Sequence, residues 1–350
     1  MVRIQTIDAH TAGEPLRLIV SGFPSVKGKT ILEQREYVRK RHDHLRRALM
    51  LEPRGHADMY GALLTPPEHA GSHTGVLFMH NEGYSTMCGH GIIAVTKIAI
   101  ERKLIVVPRE PDGSVRLTLD SPAGPIHATA TIDGDEDVSS VRFRNVPSFV
   151  LHPAVPVAVR NRQVRVDVAF GGAFYAIVDS EAVGIPIVPE RLSDLRSAGM
   201  EIKHSVEKTV KVEHPLEPQL KGIYGTIFTG PPTLEGADLR NVTIFADAEV
   251  DRSPCGTGTA AVMAVLSAMG MLAGPDQVFT HESIIGTTFR GRVAGTTEIS
   301  TFSSQLPTPN SPSANLLSAI VPEIEGEAYI TGENTFLIDE RDPLRHGFRI

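Results

Sequence analysis

The sequence predicts an α+β protein built from two similar halves, each with a sheet wrapped around one buried helix. Two observations support this fold class. At 350 residues the chain is too long for one compact core and suits two domains of roughly 100 to 200 residues each. In addition, its two cysteines, Cys88 and Cys255, lie in matching surroundings 167 positions apart.

The matching surroundings form a degenerate repeat. Each cysteine is followed by glycine at the first and third positions and by Ala-Val at the sixth and seventh. A phenylalanine, Phe78 or Phe245, ends an apolar run ten residues before each cysteine, and a Tyr-Gly pair lies further upstream at 60–61 and 224–225. The repeated unit is therefore predicted to be a strand, a turn, Cys-Gly-x-Gly and a long apolar helix.

Both predicted central helices, residues 91–100 and 258–272, lack a polar face. A helix that is apolar on nearly all sides is buried within its domain. Each cysteine then lies at a helix N-terminus, where unpaired N–H groups and the helix dipole favour a thiolate and also bind an anion.

The remaining elements follow from local patterns along the chain. In order, they are a strand from residue 4 with a polar turn and a second strand at 16–20, an amphipathic helix at 29–50, a strand at 62–64, a turn and strand at 110–121, an acidic turn at 133–137, strands from 141 to 168, a surface helix at 189–210, a Pro/Ser-rich loop at 306–313 and an alternating tail at 328–350.

Three further local features of this pattern carry specific expectations. The polar turn contains Asp8, His10 and Thr11. These side chains are equally suited to hydrogen-bonding the backbone of their own turn and to forming part of a functional site. Glu52 and Arg54 are predicted to pair with each other. The glycine pair at 171–172 permits a bulge or a close backbone approach.

The repeat and the tail together predict the domain organisation. A first domain comprises residues 1–130 plus 318–350 and carries Cys88. A second comprises residues 131–317 and carries Cys255, and the active site is expected in the cleft between them.

The composition is that of an ordinary soluble globular protein, with 41% hydrophobic and 21% charged residues. A formal net charge of −7 without a basic run argues against nucleic-acid binding. The sequence has no signal-peptide pattern and no apolar run near the ~20 residues of a membrane span. We therefore expect a cytoplasmic location, no membrane association and reduced cysteines.

Several uses of two cysteines can be compared. A zinc site needs about four closely spaced ligands, and here one Cys-x-His has no second pair, so no metal is predicted. Thioredoxin-type redox chemistry uses Cys-x-x-Cys, which is absent. A cysteine hydrolase would need a histidine base, and His90 is available, but that function leaves the second cysteine unexplained.

Two equivalent thiols suit the inversion of an α-carbon. One group must remove the Cα proton from one face, and another must return a proton to the opposite face. The N–H groups after each cysteine would hold the substrate carboxylate and stabilise the negative charge that grows as the proton leaves.

Residues 87–91 (MCGHG) and 251–259 (DRSPCGTGT) resemble the two signatures of the proline racemase family. The resemblance covers nearly the whole chain and includes the motifs at 8–14, 52–56, 170–172, 282–286 and 342–344. It implies a diaminopimelate-epimerase-like fold with a mainly antiparallel sheet around each central helix. It also implies a cofactor-independent enzyme for a small molecule, proline or a hydroxyproline.

The resemblance assigns roles to particular residues. Cys88 and Cys255 are the expected catalytic acid/bases. The expected substrate-binding residues are His90 and Asp251 at the ring nitrogen, the amides of Gly89, His90, Gly256 and Thr257 at the carboxylate, and Tyr60 and Phe245 where racemases place ring-contacting phenylalanines.

The family includes proline racemases, 4-hydroxyproline 2-epimerases and trans-3-hydroxy-L-proline dehydratases. Dehydratases typically carry threonine in place of the second cysteine, so Cys255 favours racemisation or epimerisation. Tyr60, in the run 58–61, instead resembles the dehydratase branch, and the 4-hydroxyproline epimerases lack a histidine at the position of His56.

The main prediction is therefore a PLP-independent racemase or epimerase of proline or a hydroxyproline. A trans-3-hydroxy-L-proline dehydratase that uses Cys88 as base is the alternative, and a binding module without turnover is the third class. The sequence determines neither the preferred substrate nor the oligomeric state, and a homodimer stays open.

Overall fold

The computed structural model describes residues 1–134, 136–272, 274, 276–301 and 315–349. Its strands are β1 (Val2–Thr11), β2 (Glu14–Ser21), β3 (Tyr60–Thr65), β4 (Thr74–His80), β5 (Val115–Ser121), β6 (Gly124–Asp133), β7 (Asp137–Arg144), β8 (Phe149–Val159), β9 (Arg162–Phe170), β10 (Phe174–Asp179), β11 (Gly225–Gly230), β12 (Leu239–Phe245), β13 (Glu249–Asp251), β14 (Phe279–Glu282), β15 (Thr288–Thr301), β16 (Asn315–Gly326) and β17 (Ala328–Ile338). Its helices are α1 (Ile31–Arg41), α2 (Asp43–Met50), α3 (Gly89–Glu101), α4 (Ser180–Val183), α5 (Leu192–Thr209) and α6 (Gly256–Ala268). No helix within these ranges is long and apolar enough to cross a membrane.

Backbone contacts divide the chain into two compact units. The first consists of Met1–Arg144, Asp251–Gly256 and Glu325–Ile350, and the second of Asn145–Val250 and Thr257–Ile324. The sequence placed Cys255 in the second domain, whereas its segment packs with the first unit, because Arg252 and Gly256 contact residues there. The domain boundaries expected from the sequence stay a prediction.

In the first unit, a mainly antiparallel sheet surrounds α3. Strand β1 pairs antiparallel with β2 and β17, β3 with β4, β5 with β6 and β6 with β7, while β2–β3 and β4–β5 are parallel. Helix α3 contacts β1, β2, β3, β6, β7 and β17, and ten of its thirteen residues are buried. Pairing of β17 with β1 confirms that the tail returns to the first half of the fold.

The second unit repeats this order of pairings. Antiparallel β9–β10 is followed by parallel β10–β11, antiparallel β11–β12, parallel β12–β14 and antiparallel β14–β15. The same alternation links β1 to β6 in the first unit. The predicted two-fold repeat is therefore present in the topology as well as in the cysteine motifs.

One part of the predicted repeat is displaced by one residue. Phe78 lies opposite Ala62 on the neighbouring strand, and the matching Phe245 lies opposite Gly225. Tyr224 therefore corresponds to Gly61 rather than to Tyr60. Because side chains alternate between the two faces of a strand, the two tyrosines are not equivalent.

A further repeated feature had no signal in the sequence. Asp120 on β5 accepts hydrogen bonds from the Glu68 and His69 amides at 2.7 and 2.9 Å. Glu282 on β14 accepts from the Thr233 and Leu234 amides at 2.6 and 3.1 Å. In each unit a buried carboxylate thus holds the loop between the third and fourth strands of the repeat.

Two local predictions are wrong, the single helix at 29–50 and the pairing of Arg54 with Glu52. The single helix expected at 29–50 is two helices, because His42 has φ −132° and ψ 12° and interrupts the helical backbone. Arg54 pairs with Asp342 at 3.4 Å instead of with Glu52. At the ends of the predicted acidic turn, Asp133 of β6 pairs with Asp137 of β7, while Asp135 and the loop at 306–313 lie outside the described residues.

Candidate active site

Cys88 is the N-cap residue of α3. Its Sγ accepts a hydrogen bond from the Gly91 amide at 3.2 Å, and the residue is only 5% exposed. Burial raises the pKa of the thiol well above its usual range, while the Gly91 N–H opposes this shift. The helix N-terminus was expected to favour a thiolate, but desolvation by burial outweighs the lowering effect of the Gly91 N–H. Nearby Asp251 and Cys255 raise the pKa further.

Tyr60, the first residue of β3, lies against this thiol. Its hydroxyl hydrogen-bonds the Ser85 hydroxyl, and its hydrogen bond to Cys88 lowers the pKa of that thiol. The ring packs edge-on against His90, with 4.7 Å between centroids, and stacks on His80 at 5.6 Å. Two buried hydroxyl groups, from Tyr60 and Ser85, therefore lie beside the first thiol.

His90 is a buried, neutral histidine in the first turn of α3. A ring nitrogen hydrogen-bonds the Pro15 carbonyl, Nδ1 lies 3.3 Å from the Cys88 sulfur, and burial lowers the histidine pKa to about 3. A general base should have a pKa near the working pH. His90 is therefore a poor base for Cys88, which argues against the cysteine-hydrolase alternative.

Cys255 lies between β13 and α6 in a tightly hydrogen-bonded segment. The Asp251 carboxylate accepts from the Ser253 amide at 2.9 Å and the Ser253 hydroxyl at 2.7 Å, and the same hydroxyl accepts from the Cys255 amide at 3.1 Å. The Cys255 thiol also hydrogen-bonds Asp251. Burial raises the pKa of Asp251 to about 6, against the lowering effect of these hydrogen bonds.

The glycines that follow the two cysteines contact each other. A Cβ added to Gly89 would lie 2.6 Å from the Gly256 Cα and 2.9 Å from the Phe143 ring. A Cβ added to Gly256 would likewise lie 2.6 Å from the Gly89 Cα. Only glycine fits at such distances, so the backbone after Cys88 and the backbone after Cys255 approach closely within the first unit.

Two of the predicted site residues, Thr257 and Phe245, belong to the second unit. The Thr257 hydroxyl hydrogen-bonds the Tyr175 hydroxyl at 2.6 Å, and a Cβ on Gly171 would lie 2.2 Å from the Thr257 carbonyl oxygen. The Phe245 ring stacks on Tyr224 with 5.5 Å between centroids. The predicted close approach at the glycine pair is thus made by Gly171 against the first turn of α6.

Sequence reasoning missed three residues that shape these segments: Ser85, Ser253 and Glu14. Ser253 lies inside the motif at 251–259. A serine two residues before a cysteine at a helix start is a local signal for a side-chain hydrogen bond to the backbone. Ser85 and Glu14 act through Tyr60 and Arg252, which are 25 and 238 positions away in the chain. Such distant pairs leave no local pattern.

The model of the proline racemase family matches residues 6–349. A trans-3-hydroxy-L-proline dehydratase of Bacillus thuringiensis subsp. konkukian is 49% identical over 343 residues, covering 98% of this chain and 97% of that protein. Proline racemase A of Trypanosoma cruzi is 41% identical over 348 residues, covering 98% and 81%.

Solved structures of related enzymes have the same fold as this chain. A hydroxyproline epimerase from Agrobacterium vitis, crystallised with trans-4-hydroxy-L-proline, superposes with a TM-score of 0.86 at 30% identity over 100% of this chain and 96% of that one. Relatives of this chain thus include racemase, epimerase and dehydratase enzymes that act on proline or its hydroxylated forms. The fold, the paired cysteine segments and the match over nearly the full length lead to one conclusion: the chain belongs to the proline racemase family.

Proposed function

We propose that this protein inverts the Cα centre of proline or a hydroxyproline, with Cys88 and Cys255 as the two acid/base groups. The observation that carries the proposal is the contact between Gly89 and Gly256, which brings the backbone beside both thiols together. The enzyme names of the relatives support the same class of reaction.

In this proposal one thiol accepts the Cα proton and the other donates a proton to the opposite face. The amides of Gly89, His90, Gly256 and Thr257 bind the substrate carboxylate and stabilise the charge that develops on it. His90 and Asp251 bind the ring nitrogen, while Tyr60 and Phe245 contact the ring. These seven binding residues are those assigned by the family resemblance.

The charges around the thiols suggest how the reactive state forms. Burial favours the neutral Cys88 thiol, and the Cys255 thiol hydrogen-bonds the Asp251 carboxylate. A substrate ammonium group that binds Asp251 would take over this hydrogen bond and add positive charge beside both sulfurs. A nearby positive charge favours the thiolate, so substrate binding would promote loss of one thiol proton to solvent and leave that thiolate as the base.

A second candidate, dehydration of trans-3-hydroxy-L-proline, is favoured by one specific observation. The Tyr60 and Ser85 hydroxyls lie beside Cys88, where they could pair with a substrate hydroxyl. Cys88 would remove the Cα proton while an acid assists departure of the 3-hydroxyl as water. The relative that is 49% identical carries this activity in its name.

Proton NMR in deuterated water distinguishes these functions. Proline, trans-4-hydroxy-L-proline and trans-3-hydroxy-L-proline are each incubated with the enzyme. We expect the Cα proton to exchange and the opposite Cα configuration to accumulate for at least one of them. Formation of a pyrroline product from the 3-hydroxy substrate alone would establish dehydration instead. Tight binding without any Cα exchange would refute both enzymatic functions.

The Cys255→Thr variant then separates the two reactions. Inversion needs a proton donor on the second face, so it should disappear in this variant. Elimination does not need a thiol at position 255, so any dehydration should remain. Loss of both activities in a folded variant would contradict the assignment of Cys88 as the sole base for dehydration.

A further inference from the structure

The turn between β1 and β2 contacts both cysteine segments. The Thr11 hydroxyl donates to the His90 carbonyl at 2.9 Å, and the His90 ring hydrogen-bonds the Pro15 carbonyl. From the same turn, Glu14 Oε2 accepts from the Arg252 amide at 2.8 Å and from the Arg252 guanidinium at 3.3 Å. One short turn is therefore bonded both to the residue two places after Cys88 and to the residue three places before Cys255.

The surroundings of Glu14 are unusual for a charged residue. The side chain is fully buried, and its Oε1 has no hydrogen-bond partner. Arg252 and Asp251 on the Cys255 segment interact with it directly. Asp58 before β3 lies 3.8 Å from the Arg252 guanidinium, and His90 on α3 hydrogen-bonds the carbonyl of the adjacent Pro15. The Arg252 guanidinium thus interacts with three carboxyl groups, those of Glu14, Asp58 and Asp251.

These surroundings disfavour a carboxylate at position 14. Burial, and then the charge of Asp251, raise the pKa of Glu14 well above its usual range, while Arg252 opposes the shift. A buried carboxylate oxygen without a partner is costly, whereas a protonated acid has less charge to satisfy.

We propose that Glu14 is a positioning residue that holds the Cys255 segment beside the Cys88 segment, and that it does so as a neutral carboxylic acid. Its carbonyl oxygen accepts the Arg252 amide and fixes the start of the segment. Because it is neutral, it leaves Asp251 as the negative group for a substrate ammonium. This last consequence rests on the proposed function, but the placement and the protonation state do not.

The protonation state is tested by thermal unfolding of Glu14→Gln and wild type between about pH 5 and pH 8. A carboxyl whose pKa is raised by folding stabilises the protein fully below its unfolded pKa, and this stabilisation is lost as pH rises through its folded pKa. Glutamine cannot titrate. The Tm of Glu14→Gln relative to wild type should therefore increase by about 2 °C or more across this range.

Glu235→Gln, which removes an exposed carboxyl group, is the matched control and should show no such trend. An ionised Glu14 paired with Arg252 would produce the opposite trend, with Glu14→Gln losing Tm relative to wild type as pH rises. That result, or a Tm difference that does not change with pH, would refute the proposal that Glu14 is a neutral acid.

The positioning role is tested by turnover of three variants. Glu14→Ala should lower kcat by about 10- to 100-fold, because displacing a reacting group by about 1 Å has effects of this size. Glu14→Gln keeps the length and the acceptor and should restore most of the loss. Glu14→Asp keeps the charge but withdraws the carboxyl by one methylene, so it should not.

Better rescue by aspartate than by glutamine would refute the proposal. If Glu14→Ala does not fold, the turnover of Glu14→Gln compared with that of Glu14→Asp still tests the positioning role. An enzyme without turnover on any proline substrate would refute the proposed function, while the unfolding experiment would still decide the state of Glu14.

Discussion

Cys255 has a backbone φ of +63°, in the left-handed region that residues with a side chain seldom adopt. Such a conformation costs about 1 to 3 kcal/mol and persists only where the surroundings enforce it. Here Ser253 and Asp251 hold the backbone on one side, and Gly256 is packed against Gly89 on the other. The strain is located at the residue to which we assign proton transfer, and Cys88, with φ −145°, has none.

Asp251 supplies a prediction about pH. Burial raises its pKa to about 6, and the proposed binding of a substrate ammonium needs the ionised form. Since kcat/KM reports ionisations of the free enzyme, kcat/KM should fall about tenfold per pH unit below about pH 6. Steady-state kinetics from pH 4.5 to 8 measure this limb. If Asp251→Asn retains both the activity and the same acid limb, another group is responsible.

Tyr60 supplies a prediction about substrate preference. Tyr60→Phe removes a hydroxyl that lies beside Cys88 and Ser85. A hydrogen bond of this kind contributes about 0.5 to 1.5 kcal/mol, so hydroxyproline turnover relative to proline should fall by roughly 2- to 13-fold. Competition between the two substrates measures the ratio. Tyr329→Phe, which removes an exposed phenol, is the control, and an unchanged ratio in Tyr60→Phe would make Tyr60 a packing residue only.

At the scale of elements, α3 and α6 each begin directly after a cysteine, and their first residues are the touching glycines. Gly89→Ala would insert a methyl group 2.6 Å from the Gly256 Cα, and backbone there cannot yield without separating the two thiol segments. Stability should fall by about 1 to 3 kcal/mol and kcat by roughly 100-fold.

Thermal unfolding and steady-state kinetics measure these two effects of Gly89→Ala. Gly71→Ala is the matched control, since no atom lies within 4 Å of a Cβ added there. A Gly89→Ala enzyme with wild-type kcat would show that the glycine contact is not needed for the reaction.

The repeat of elements was largely predictable because its signal is local. Cys-Gly-x-Gly followed by an apolar run identifies a buried helix with a thiol at its start, in both halves. The break at His42 was not predictable, since the pattern of apolar residues continues through it. The predicted correspondence of Tyr60 with Tyr224 was wrong, because a matching Tyr-Gly dipeptide does not determine strand register.

At the scale of the whole molecule, the sequence did not predict the contacts that join distant parts of the chain. The assignment of Cys255 to the second domain followed sequence order, but the short segment from Asp251 to Gly256 packs with residues near the N-terminus. Glu14 and Arg252 lie 238 positions apart, so their bond follows from the fold alone. Local motifs in the sequence therefore predicted the candidate reacting residues, whereas the bond between Glu14 and Arg252 was not predicted.

The central claim is that two thiols act on opposite faces of one carbon, and deuterium exchange by the single-thiol variants Cys88→Ser and Cys255→Ser tests it most directly. Each variant, with an unchanged circular dichroism spectrum, is incubated with L- and D-proline, or with both epimers of a hydroxyproline substrate, in deuterated water. We predict that neither variant inverts its substrate. We also predict that each exchanges the Cα proton of only one isomer, and that this isomer differs between the two variants. Inversion at near wild-type rate by either variant would contradict the two-thiol mechanism.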